Sequence, residues 1–149
     1  PTEVGYSGTY AYMAPEIINR DCRDEKADIW SAAVTLIALY QDHDKLWRVN
    51  KEELERVAGE KRKGWKLENP KQPTKKDKEA IAEAEKEARH EATHAAILKV
   101  NPEKEETWPN METMPREFQV FVMRCLQQDP SKRPSAAELL KDPIFKSPG

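Results

Sequence analysis

No stretch of the chain approaches the roughly 18 uninterrupted apolar residues of a membrane span. Runs of alternating apolar and polar residues, the mark of half-buried strands, are nearly absent. Only two cysteines occur, Cys22 and Cys125. That is too few for a disulfide framework, and their spacing suits no zinc site. They read as two thiols in a reducing compartment, so an intracellular, cytoplasmic setting is expected. The chain also lacks charge of one dominant sign. Its net charge is -2, which creates no field to draw in nucleic acid or an anionic membrane. There is no signal peptide and no initiating Met; the chain opens on Pro1-Thr-Glu-Val-Gly. This opening suggests a cut made within a larger protein.

What is present divides into three zones. Residues 1–40 run from loop into an apolar helix. Residues 41–115 are highly charged and broken by Pro70, Pro73, Pro102, Pro109 and Pro115. Residues 116–149 return to apolar, helical patterning. With 35% of residues charged and 38% hydrophobic, a packed part and a solvated part are expected. From Ala27 to Tyr40 the apolar residues fall on every side of a helical wheel. Such a helix is buried all round, so a central core helix is predicted.

In the third zone Phe118, Phe121, Val122, Cys125 and Leu126 form one helical stripe, which Asp129-Pro130 ends. Ser135-Ala-Ala-Glu138 has the form of a capping box: the Ser side chain accepts from the backbone of Glu138, and Glu138 reaches back. Leu139 and Leu140 follow, and Pro143 closes that helix. In the middle zone Thr74 to about Val100 predicts a solvated helix resting lightly on the body. Its apolar stripe is thin and mostly alanine: Ile81, Ala84, Ala88, Ala92 and Ala95. The fold class is mainly α.

Gly8-Thr9-Tyr10-Ala11-Tyr12-Met13-Ala14-Pro15-Glu16 resembles the end of a protein-kinase activation segment, leading into its Ala-Pro-Glu motif. Ala27-Asp28-Ile29-Trp30-Ser31 resembles the start of that family's central helix. Cys125-Leu126-Gln127-Gln128-Asp129-Pro130-Ser131-Lys132-Arg133-Pro134-Ser135 is similar to the segment before its last helix. The three occur in the family's order. The resemblance implies a partial protein-kinase-like fold: the helical C-terminal lobe, from the activation segment onward, built around a buried central helix.

The resemblance also implies roles. Glu16 and Arg133 would form a buried ion pair, for which the Arg fork is suited. Thr9 would contact the catalytic aspartate, and Tyr12, Met13 and Ala14 would line the substrate groove. Asp28 would accept hydrogen bonds from the catalytic loop; as an acid in a first helical turn it is favoured in any case. The family's usual phosphosite, three residues before the glycine, is here Gly5; Thr2, Tyr6 and Ser7 are nearby candidates at another offset. Ala33 stands where the family usually has Gly. Ala favours helix over Gly by roughly 1 kcal/mol.

The implied reaction of the parent is transfer of the ATP γ-phosphoryl to a protein serine or threonine, with Mg²⁺. Phosphoryl transfer needs a Gly-rich loop, a strand Lys paired with a helix Glu, and Asp and Asn for the metal. G-x-G-x-x-G, H-R-D and D-F-G do not occur in this chain. No catalytic residue and no cofactor is therefore expected in this segment, which alone should be inactive. Its partner would be a protein substrate, with no nucleic acid and no membrane.

Two rival readings stand beside this one. A non-catalytic kinase-like scaffold would use the charged middle zone to dock another protein. Separately, His90-Glu91-Ala92-Thr93-His94 fits the H-E-x-x-H string of zinc metallopeptidases. At about 100° per residue, His90 and His94 lie opposite the alanine stripe and are expected to face solvent. A zinc site needs a third protein ligand. Glu87 shares their face, and Glu103, Glu105, Glu106, Glu112 and Glu117 follow without a recognisable pattern.

Overall fold

The computed structural model describes residues 10–21, 24–42 and 45–145. These residues are mainly helical and include no strand. A short 3₁₀ turn, Tyr10–Tyr12, leads into α1 (Pro15–Ile18). Then come α2 (Glu25–Ala38), α3 (Lys51–Lys61), α4 (Lys75–Leu98), α5 (Arg116–Cys125) and α6 (Ala136–Leu140). None of the described helices is long and apolar enough to cross a membrane.

The central helix starts two residues earlier than its apolar pattern suggests. Asp24 supplies the N-cap, accepting from the Lys26 N–H at 2.8 Å, which frees the chain to turn helical at Glu25. Trp30, Val34 and Ile37 are fully buried, and Ala27 and Ala33 nearly so. Burial on every side does not hold, however. Asp28, Ala32, Thr35 and Leu39 form an exposed stripe at helical spacing, with Leu39 76% exposed. No described element packs over that stripe, whose Asp28 and Thr35 suit solvent.

Helix α5 packs on α2 and buries Phe121, Val122, Met123 and Cys125, with Leu126 just past its end. The Cys125 thiol is pushed up to about 11, first by burial, so it is an inert core group. The cap of α6 is half of the expected box. Ser135 Oγ accepts from the Glu138 N–H at 3.1 Å, but the Glu138 carboxylate bonds the Ser135 hydroxyl and not its backbone.

The middle zone departs most from expectation. Helix α3 has no counterpart in the sequence reading. Asn50 caps it, accepting from the Glu52 and Glu53 N–H groups at 2.9 and 3.2 Å. Leu54, Val57 and Ala58 supply its thin inner face. It packs against α4 as one arm of a helical hairpin. Helix α4 begins with a complete capping box: Asp77 N–H donates to Thr74 Oγ1 at 3.2 Å, and Thr74 N–H to Asp77 Oδ2 at 2.8 Å. The Trp65 indole N–H also donates to Asp77, at 2.8 Å. These bonds, the backbone donor first, hold the Asp77 carboxyl below its usual range. Thr74→Ala should cost about 1 kcal/mol, the usual worth of such a cap; a urea melt with unchanged slope is the check.

Nor does α4 rest lightly. Its buried residues are Asp77, Ala84, Ala88, Thr93 and Ile97. Ile97 and the following Val100 enter the main core, whereas Ala95 is exposed. The zone further contributes Leu46, Trp47, Met111 and Met114 to that core. Gln128 then ties the end of α4 to the segment after α5, donating to the Ile97 and Val100 carbonyls at 2.8 and 3.0 Å. These apolar residues stand singly among charges, so local periodicity does not reveal them.

Candidate functional site

The Tyr10–Tyr12 turn, Met13, Ala14 and α1 sit on top of the central helix. The turn is a single 3₁₀ turn in which the bond from the Met13 N–H to the Tyr10 carbonyl is long, at 3.4 Å. It is held mainly from outside. Ser31 of α2 donates to the Tyr12 carbonyl at 2.8 Å. From the other side the buried Trp47 indole donates to the Ala11 carbonyl at 2.7 Å. Tyr12 and Met13 are half-exposed, and burial pushes the Tyr12 phenol up. Ala14 is 1% exposed and belongs to the core. Its methyl therefore does not line a surface groove, because Pro15 turns the chain inward there to start α1. Thr9, Thr2, Tyr6 and Ser7 lie outside the described residues.

Beneath the turn, Glu16 and Arg133 are brought together from the two ends of the chain. Arg133 Nη1 donates to Glu16 Oε1 at 2.5 Å, and Nη2 to Oε2 at 2.8 Å. Both residues are buried, Arg133 to 2% and Glu16 to 7% exposure. The remaining guanidinium donors meet carbonyls: Nε on Gln127 at 2.8 Å, Nη1 on Lys26 at 3.0 Å and Nη2 on Gln128 at 3.4 Å. All five N–H groups are thus used, which a lysine could not do. The guanidinium also lies 5.2 Å over the buried Trp30 ring, within cation–π range. The Lys26 ammonium donates to the Arg133 carbonyl. One buried fork thereby joins α1, the start of α2 and the segment after α5. Asp28 is exposed in the first turn of α2.

The H-E-x-x-H histidines are not where the alanine stripe placed them. Helix α4 packs against the Tyr10–Tyr12 turn and α1. The His90 ring lies 3.8 Å from the Tyr10 ring, centre to centre, and His94 meets Tyr10 edge-on at 6.4 Å. Both are half-buried, not solvent-facing. Burial, first of all, pulls both imidazoles below their usual value, and for His94 the neighbouring His90 adds to it. The His94 Nε2 atom is buried with no hydrogen-bond partner among the described residues. No group of three His, Cys, Asp or Glu among the described residues could hold a metal ion. Glu87 and Glu91 instead engage Lys61 of α3, at 3.8 and 3.1 Å.

The described residues likewise do not fit ATP and Mg²⁺. The two described glycines are separate: Gly59 lies within α3 and Gly64 in the turn beyond it. Neither belongs to a loop of converging amides. A groove of about 600 Å³ does lie between α3 and the second half of α4, with Val57, Ala92 and Ala96 along it and Glu53, Arg56 and Lys99 at its edges.

Comparisons with known proteins agree with the geometry. The family model described as "Protein kinase domain" matches residues 3–145. Serine/threonine-protein kinase 4 homolog A of Dictyostelium discoideum is 32% identical over 138 residues, 93% of this chain and 21% of that protein. The serine/threonine-protein kinase US3 homolog of Cercopithecine herpesvirus 9 (strain DHV) is 29% identical over 141 residues, 95% of this chain and 40% of that protein. Human mitogen-activated protein kinase kinase kinase 5 is 28% identical over 148 residues, 98% of this chain and 8% of that protein. The chain therefore spans well under half the length of these relatives. No solved structure matches it. With the family model covering nearly the whole chain, and α2 at the centre of a helical core, the chain belongs to the protein kinase domain family.

Proposed function

We propose that this chain is the helical, substrate-carrying lobe of a serine/threonine protein kinase. The reaction of that kinase is transfer of the ATP γ-phosphoryl to a serine or threonine hydroxyl of another protein. What supports this reading most is the Tyr10–Tyr12 turn, pinned on α2 by Ser31 and on its far side by Trp47. Beneath it the Glu16–Arg133 fork makes a rigid base. Phosphoryl transfer is mostly positioning, so a rigid floor is what such a lobe must supply. Tyr12 and Met13 present the half-exposed part of that floor, and Thr9 would contact the catalytic aspartate. Thr2, Tyr6 and Ser7 are the nearby hydroxyls that could take a regulatory phosphate, and Asp28 would anchor a catalytic loop on α2. An intracellular, cytoplasmic setting goes with this reading.

On this reading the catalytic groups belong to the rest of the kinase and not to this chain. Nothing in the described residues gathers a phosphate loop or a metal-holding cluster, so the chain alone should not bind Mg-ATP. Its melting temperature should stay unchanged on adding millimolar Mg-ATP; a clear upward shift would overturn this. Sequencing the transcript upstream of the Pro1 codon tests the larger reading. H-R-D-x-x-x-x-N and D-F-G at kinase spacing support an active kinase. Degraded versions favour the second reading, a kinase-like scaffold, for which the groove between α3 and α4 would be the docking surface.

A further inference from the structure

We propose that His90 and His94 are positioning residues for the substrate turn, and that α4 sets the geometry of Tyr10–Met13 through their contact with Tyr10. The word substrate here rests on the function proposed above; the contact does not.

The turn is weak by itself. A lone 3₁₀ turn has little stability of its own, and its bond from the Met13 N–H to the Tyr10 carbonyl is long at 3.4 Å. Its shape must come from its neighbours. Ser31 and Trp47 hold the backbone at Tyr12 and Ala11. Neither holds Tyr10, the residue directly after Thr9. That task falls to α4. His90 stacks on the Tyr10 ring with 38° between the planes, and His94 closes on its edge at 71°. The edge-on contact of His94, with centres 6.4 Å apart, is a favoured aromatic geometry.

The imidazoles suit the task when neutral. The Nε2 atom of His94 is buried without a described partner, which is tolerable for an uncharged ring and costly for a cation. The charges that act on His90 come from its own helix: Lys86 disfavours its protonation, while Glu83 and Glu87 favour it. Across the interface stands the Tyr10 ring.

A brace must itself be anchored, and α4 is anchored along its length. The Thr74–Asp77 box, joined by Trp65, holds its first turn. Lys61 of α3 reaches Glu87 and Glu91 along its middle. Ile97 and Val100 are buried in the core at its end. A helix of 24 residues held at three levels moves as one piece. Any shift of it would be passed to Tyr10.

Amide hydrogen exchange on the chain decides the matter. His90→Ala should speed exchange of the Ala11–Met13 amides by about tenfold, as expected for a local opening. Amides of Val34 and Ile37 in α2 should keep their wild-type rates. His90→Phe restores a flat ring and should return the turn to its slow exchange. The proposal fails if His90→Ala leaves the turn unchanged, if Phe does not rescue, or if exchange rises equally in α2. In the full-length protein, His90→Ala should raise the KM for a peptide substrate at constant kcat. An exchange effect without a KM effect would leave the brace intact and remove the substrate reading of the turn.

Discussion

Arg133→Ala should melt far below the wild-type chain. Removing one member of a buried ion pair strands the other and typically costs about 3–5 kcal/mol. For a chain of this size that is a fall of roughly 6–20 °C, at ~2–4 °C per kcal/mol. The loss has two parts here. Glu16, 7% exposed, would keep a carboxylate away from water with no cation to meet it. The Gln127, Lys26 and Gln128 carbonyls would also lose the donors that reach them. Arg133→Lys should recover little, because one ammonium has three donors and no fork.

The double variant Glu16→Leu/Arg133→Met separates these parts. A buried pair exchanged for apolar residues of similar size can be neutral or better. Here the recovery should stop short of wild type, since the three carbonyls remain unserved. Thermal melts followed by helical circular dichroism measure all four proteins. A single Arg133→Ala variant with an unchanged melting temperature would falsify the structural role given to the pair.

Trp30→Ala carries the next largest expected loss, about 3–5 kcal/mol for a large aromatic removed from a packed core. Trp30 is fully buried, central in α2, and forms the face on which the Arg133 guanidinium rests. Trp30→Phe should be much milder. It keeps an aromatic face and removes an indole N–H that has no hydrogen-bond partner among the described residues. Leaving such a group buried costs on the order of 1–3 kcal/mol, which offsets part of the lost area. Urea unfolding at constant slope reads both variants. Equal losses for Phe and Ala would mean that the indole N–H is bonded after all, and that shape at this site matters less than that bond.

Much of the central region is legible without coordinates. The α5 stripe from Phe118 to Leu126 matches helix Arg116–Cys125 because a surface helix must bury one face, and the spacing states which residues share it. Thr74 with Asp77 marks the start of α4 for a local reason: a side chain satisfies the free N–H groups of a first turn. Asn50 with Glu52 and Glu53 is the same kind of signal for α3. The charged surroundings and the lone Leu54, Val57 and Ala58 leave that segment without the strong stripe that would accompany the cap.

Other features were beyond reach of local pattern. Spacing places His90 and His94 on one face of α4 and Ala84 and Ala88 on another. It cannot say that a helix lying between α3 and the Tyr10–Tyr12 turn has both faces partly covered. Nor can it say that the outer stripe of α2 is left open while Leu46, Trp47, Met111 and Met114, single apolar residues in a charged zone, fill the core.

By itself, then, the sequence determined the helices with strong stripes and caps, the order of the three kinase-like segments, and the identity of the Glu16 and Arg133 partners through resemblance. Only the tertiary structure decided that Arg133 spends all five donors, that Ala14 turns inward, and that the two histidines lie against Tyr10. The reason is physical. Caps and stripes are made by residues within a few positions of each other, whereas burial depends on which distant segment arrives to cover a face.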